Sequence, residues 1–296
     1  MGATGTWIEA QPAGSVGGKT PEGKNHHFGQ RTNQKLCTGE RKVIMETQKI
    51  SFPNQQARCV FLGERLDLAQ AISDLELEGH YPVIVLVGSG IAEPQAAATR
   101  RAIQAIARVA EDLHALVICG GTDMGVMVEL GRIKGRNHYQ FPLVSVTPED
   151  LAVWPGGPHR QKFLWWGKQR WQLEPNSSHF ILVPGSRFVD ASPWIDSAAT
   201  MLSQGHPSVT ILINGGEISR KDIELSLKKG RPVIVLSRTG HLADELARQP
   251  ERDNLITVVP IHTEQRILKT IQAALSMTEK AAVDPLATHE KVVIEM

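Results

Sequence analysis

The sequence predicts an α/β protein: a doubly wound, Rossmann-like, mostly parallel sheet of about seven strands with helices on both faces. Three observations predict it. From residue 82 onward, short apolar runs alternate with amphipathic stretches of helical length. Those runs are continuous in Val, Ile and Leu, as strands covered on both faces are. Two of them, ALVICGG at 115–121 and VTILINGG at 209–216, run straight into a Gly-Gly pair and then into a helical pattern. That corner recurs at the ligand-binding edge of such sheets.

Taken in order, residues 1–50 are poor in apolar runs and rich in Gly, Thr, Gln, Asn and Lys, so they are expected to form a disordered leader. Within it, AGSVGGKT at 13–20 matches a loose phosphate-loop pattern. The mechanism of that loop needs a strand before it and a helix after it; QP precedes and PEGKNHH follows, so the match is read as a decoy. The folded part is expected over 51–277, with a flexible tail over 278–296. It starts with a strand at 58–62 and a short helix at 66–78, where Leu66, Ala69, Ile72 and Leu75 share a face. Strands follow at 83–87, 115–119, 143–146, 180–183, 209–213, 233–236 and 256–259. Helices alternate with them at 95–112, 123–134, 193–203, 220–229, 242–248 and 264–277. The segment 148–177 reads as a long insertion.

Composition excludes several classes. The 32 Lys and Arg against 31 Asp and Glu leave a net charge near +1, which gives no electrostatic footprint for nucleic acid. No apolar run approaches the ~20 residues of a membrane helix. Cys37, Cys59 and Cys119 form no CxxC pair and have no His at ligand spacing, so no metal site is expected and a reduced, cytoplasmic setting fits best.

The residues that carry chemistry lie where strands end. A strand ending on glycines at a helix start exposes unpaired N–H groups with no Cβ in the way, backed by the positive end of the helix dipole, and this favours phosphate. Gly120-Gly121-Thr122, with Gly125 beyond, and Asn214-Gly215-Gly216-Glu217 are the two such corners. Helix–strand packing alone is the plainer explanation of the glycines. Glu217 would repel phosphate unless it points away or takes a ribose hydroxyl. Gly88-Ser89-Gly90 opens like a dinucleotide fingerprint, but Glu93 stands at the third glycine position, and a simple tight turn explains it equally. Thr239-Gly240-His241 offers a third anion turn, with Arg238 beside it as a phosphate fork or a solvated surface arginine. The insertion gathers Trp154, Trp165, Trp166 and Trp171 among Arg160, Lys162, Lys168 and Arg170. These tryptophans either stack on a purine, or fasten the loop to the sheet or build a subunit contact.

Three stretches, CGGTDMGVM at 119–127, LEPNSSHFILVPG at 173–185 and GRPVIVLSRTGHLADELA at 230–247, resemble the SLOG superfamily, specifically its TRPM-homology branch of the prokaryotic LSDAT type. PSVTILINGGEI at 207–218 fits the same pattern, and the similarity covers roughly 82–277. The resemblance implies binding of a nucleotide derivative, with ADP-ribose, NAD or a related nucleotide as ligand and no further cofactor. It also implies ligand contacts at Gly120, Gly121, Thr122, Gly215, Gly216, Gly240 and His241. His241 departs from the Arg typical of the channel sequences, which replaces a permanent charge by a titratable one. The implied partners are that small-molecule ligand and, for a sensor, a second copy or a downstream effector protein.

Two functions compete. One is a non-catalytic nucleotide sensor. The other is an N-glycosidic hydrolase similar to the lonely-guy enzymes, whose PGGxGTxxE turn aligns on Gly215-Gly216. There this chain has Asn214 for Pro, Ile218-Ser219 for Gly-Thr, and Asp222 for the catalytic Glu. The shorter carboxylate sits about one methylene back, which matters where reacting groups need placement within ~1 Å. An assembly module would leave the glycine corners without a purpose.

Overall fold

The computed structural model describes residues 47–63, 68–77, 79–91, 93, 95–157 and 170–276. The motif at 13–20, most of the leader, the tail after 276, and Arg160, Lys162, Trp165, Trp166 and Lys168 lie outside the described residues. The elements, in order, are β1 (Thr47–Ser51), β2 (Gln56–Phe61), α1 (Leu68–Asp74), β3 (Val83–Gly88), α2 (Ala96–Asp112), β4 (Leu116–Cys119) and α3 (Gly125–Asn137). Then come β5 (Leu143–Pro148), β6 (Ala152–Val153), β7 (Trp171–Gln172), β8 (His179–Val183), α4 (Ser192–Ser203), β9 (Ser208–Ile213) and α5 (Glu217–Lys228). The chain continues through β10 (Val233–Ser237), α6 (His241–Arg248), β11 (Ile256–Pro260) and α7 (Glu264–Ser276).

Among the described residues, nine strands form one sheet in the order β1-β2-β8-β5-β4-β3-β9-β10-β11. Every pairing is parallel except β1 with β2. The sheet is thus wider than the about seven strands expected, in the same fold class. The added edge is β1, whose only buried residue is Ile50. Its TQKIS sequence carries no apolar run, so composition alone assigned 47–50 to the leader. Antiparallel pairing with β2, from Thr47 opposite Val60 to Ser51 opposite Gln56, is what orders it.

The period-2 alternation of side chains divides the core. On one face Ile84, Leu86, Val117, Cys119, Ile211 and Ile234 pack against α2, α3 and α7. On the other, Val83, Val85, Val87, Ile118, Val146 and Val235 pack against α1, α4, α5 and α6. A third cluster of Ile50, Phe52, Cys59, Phe180 and Leu182 lies under the insertion and includes Trp154. Trp154 is 8% exposed and its ring lies 5.7 Å from that of Phe61, so this tryptophan fastens the insertion to the sheet. The segment 148–177 is accordingly tied down at both ends: a 3-10 turn at Glu149–Leu151, the short parallel pair β6–β7, and an antiparallel bridge from Leu173 to Thr122. Burial drives the Cys59 and Cys119 thiols up to about 12, which makes both inert core residues.

One buried ion pair ties the second face together. Arg231, in the loop after α5, meets Asp196 of α4 at 2.8 Å with both side chains under a tenth exposed. The same guanidinium donates to Thr200 Oγ1 and Ser226 Oγ.

The winding fixes where a ligand can sit. From β3 the chain steps outward through β4, β5 and β8; it then returns to the opposite side of β3 as β9 and proceeds through β10 to β11. The direction reverses between β3 and β9, and a crevice opens at the carboxyl ends of strands at such a point.

Candidate functional site

A cleft of about 750 Å³ opens at this switch point, lined by the ends of β3, β4 and β5 and by the starts of α3, α4 and α5. Its walls are chiefly apolar: Leu86, Val87, Met127, Val128, Val146, Phe188, Ile195 and Ile218. Met124 and Ile218, the exposed large hydrophobics among the described residues, stand at the first turns of α3 and α5. The polar side chains are Ser89, Thr122, Asp123, Ser192, Glu217, Ser219 and Asp222, and no Lys, Arg or His lines the cleft among the described residues.

The glycines divide into two kinds. A Cβ on Gly88 would lie 2.5 Å from Ile213 O, one on Gly125 2.3 Å from Ser89 O, and one on Gly215 2.8 Å from Leu212. Gly121 has φ +72° and its Cβ would lie 2.3 Å from Ser145 Cβ. These four let backbone approach protein, not ligand. Gly90, Gly120 and Gly216 have nothing within 4 Å of the missing Cβ, and all three line the cleft.

The two Gly-Gly corners therefore differ. At the first, Val126 N–H donates to Ser89 O at 3.2 Å, so one N–H of the α3 start is already used. At the second, Arg220 N–H is the first to find an intrahelical acceptor, Gly216 O at 2.9 Å. The N–H groups of Glu217, Ile218 and Ser219 precede it, have no acceptor among the described residues, and receive no side-chain cap. This helix start faces the cleft uncapped. Glu217 is exposed and turned to Arg220, 3.7 Å away.

The structure thus brings Gly88, Ser89, Gly90, Gly120, Thr122, Gly125, Gly216, Glu217 and Asp222 to one cleft. Gly121 and Gly215 lie behind its wall, and Asn214 is a buried brace. Asn214 N–H donates to Thr239 Oγ1 at 2.8 Å and its Nδ2 to Gly90 O at 2.7 Å, while Gly215 N–H donates to Ser89 Oγ at 3.3 Å. Arg238, Thr239, Gly240 and His241 do not line the cleft. Their turn is filled by its own carboxylate: Asp244 accepts from the N–H groups of Arg238 and Gly240. Arg238 and His241 are exposed, both with positive φ.

Asp222 is half-buried, with Oδ1 itself buried and without a partner. Burial pushes its carboxyl from 3.8 up to about 6; the Ser192 hydroxyl holds the rise back and the charge of Asp196 adds to it. Ser192 comes close enough for that influence without completing a hydrogen bond, for its Oγ is also buried and unpartnered. Ser192 and Phe188 escape sequence reasoning. A Ser-Pro pair signals only a helix start, and nothing local tells that the hydroxyl is left unmet. The stretch at 173–177, by contrast, is architectural. Glu174 is 1% exposed and accepts from Asn176 N–H, Asn176 Nδ2 and Ser177 Oγ, with its carboxyl seated where a Cβ on Gly131 of α3 would fall.

No helix among the described residues is long and apolar enough to cross a membrane. No curated protein matches the chain. Among solved structures, the structural-genomics target TM1055 is similar at 18% identity and a TM-score of 0.45, over 64% of this chain and 98% of that one. The molybdenum cofactor binding protein from the phototrophic bacterium Rippkaea orientalis is similar at 16% identity and a TM-score of 0.43, over 65% of this chain and 98% of that one. The family described as SLOG in TRPM, prokaryote, matches residues 81–280. That match spans well over half of the chain and runs from just before β3 past α7, so the protein belongs to the prokaryotic SLOG-in-TRPM family.

Proposed function

We propose that the protein binds a nucleotide-derived small molecule, of the ADP-ribose, NAD or AMP kind, in the cleft between β3 and β9. The observation that carries the reading is the uncapped start of α5, with Gly216 open to the cleft beside apolar walls broad enough for a base. Magnitudes favour phosphate there despite Asp123 and Glu217 at the rim. A unit charge in water opposes by only about 1 kcal/mol even at ~4 Å. Each N–H bond to a charged phosphate oxygen contributes about 1.5–3 kcal/mol, and the helix dipole adds about 0.3–1 kcal/mol. Arg220, paired with Glu245 at 2.7 Å, also lies 3.7 Å from Glu217. The expected role is sensing, with the occupied cleft as the signal.

A second reading, hydrolysis of an N-glycosidic bond, is favoured by one observation: Asp222 lies in the cleft with a carboxyl poised near 6. Against it, Ile218 stands where the hydrolase turn has Gly. One experiment separates the two. The protein is screened by thermal shift against ADP-ribose, NAD and AMP, and each mixture is then assayed for released base. Stabilisation without base release is the expected result. Turnover that disappears in Asp222→Asn would establish the enzyme instead, and the absence of any shift would refute nucleotide binding.

A further inference from the structure

Deepening the nucleotide reading, on which it rests, we propose that Ser192 and Asp222 form a subsite for the vicinal hydroxyls of the ligand's ribose. Both residues line the cleft, one from the start of α4 and the other from the second turn of α5. Ser192 is 1% exposed, yet its Oγ has no hydrogen-bond partner, and Asp222 Oδ1 shares that state. Buried polar atoms are nearly always satisfied in native proteins, and a pair left unmet on the wall of an open cleft marks where a ligand supplies the missing bonds.

The chemistry of the pair selects the group. A carboxylate only accepts, whereas a serine hydroxyl both accepts and donates. A cis-diol complements them: one hydroxyl donates to Asp222 and the other exchanges a bond with Ser192. Phosphate is excluded, because it would face the carboxylate. Position selects ribose over the base. Asp222 follows Glu217 by five residues, about 7.5 Å along the helix axis at 1.5 Å per residue. With phosphate on the first turn of α5, the sugar is the part of a nucleotide that reaches this depth. The charged group facing Asp222 from α4 is Asp196, which Arg231 holds at 2.8 Å; Asp123 and Glu217 stand at the exposed rim.

The test is calorimetric titration with AMP, 2′-deoxy-AMP, 3′-deoxy-AMP and IMP. Wild-type protein should bind AMP about ten- to a hundredfold more tightly than either deoxy analogue, and IMP about as tightly as AMP. In Asp222→Asn, whose amide matches the carboxyl in shape, that discrimination should collapse, and Ser192→Ala should weaken it. Hydroxyls that donate to Asp222 favour its ionised form, so AMP affinity should fall as pH drops from 7.5 through 6 to 5. That fall should shrink in Asp222→Asn, because titration of the AMP phosphate is common to both proteins. Equal binding of AMP and the deoxy analogues by wild type overturns the subsite, as does discrimination that survives Asp222→Asn. Loss of IMP binding with retention of deoxy-AMP points to an amine reader and overturns it too. If none of the four binds while ADP-ribose or NAD gives a thermal shift, the subsite is overturned and the nucleotide reading stands; if ADP-ribose and NAD give none either, both fall.

Discussion

Gly121 and Gly216 are chemically identical and two different instruments. At Gly121, φ is +72° and the missing Cβ would overlap Ser145. At Gly216 the backbone is extended and the space ahead is empty cleft. Gly121→Ala should therefore cost about 2–4 kcal/mol from left-handed strain and overpacking, read by urea denaturation. Gly216→Val should stay within about 1 kcal/mol of wild type and lose nucleotide binding. A Gly121 variant of normal stability, or a Gly216 variant with unchanged affinity, contradicts this division. Asp222 makes its own prediction for the unliganded protein. Its folded pKa of about 6 lies above the ordinary 3.8, so between those values the native state holds the proton more firmly than the unfolded chain. Its contribution to stability is therefore most favourable below about 4 and declines as pH rises through 6. Asp222→Asn should stabilise the apo protein at pH 7.5 and flatten that part of its pH profile; an unchanged profile would contradict the shifted carboxyl. Sequence could mark the glycines and the aspartate. It could not tell a glycine facing Ser145 from one facing open space, because that depends on a neighbour 24 residues away.

At the scale of elements, continuous apolar runs located β3, β4, β5, β8, β9 and β10, because burial on both faces leaves few polar positions to blur them. The edge strand β1, with one buried side chain, left no such trace. The turn before α6 shows the limit of motif reading. Thr239-Gly240-His241 has the right composition for an anion turn, but Asp244, one helical turn on, occupies its N–H groups. The junction of α4 with the α5–β10 loop is held by Arg231 and Asp196, both buried. Removing one partner strands the other, so Arg231→Met should cost about 3–5 kcal/mol, whereas Arg231→Met combined with Asp196→Leu should recover most of the loss. Chemical denaturation of the two singles and the double decides it: additive losses would mean the pair is not coupled.

For the whole molecule, alternation of strands and helices foretold a doubly wound sheet, while the strand order that creates the cleft emerged only from the assembled structure. The reversal between β3 and β9 is a property of nine strands together. Ligand binding should register at the same scale: at a hundredfold excess over Kd the native state gains about 2.7 kcal/mol, and a domain of this size should melt about 5–10 °C higher. The pocket floor also connects to the insertion in a way that can be seen from outside. Phe188 lines the cleft, and Trp171 packs edge-on against it with ring centres 4.8 Å apart, while Trp154 is buried in a separate cluster. A guest that nudges Phe188 alters the surroundings of an indole, so the protein carries its own fluorophore beside the cavity: emission should change on occupancy without any dye, and Trp171→Phe should remove that component of the signal.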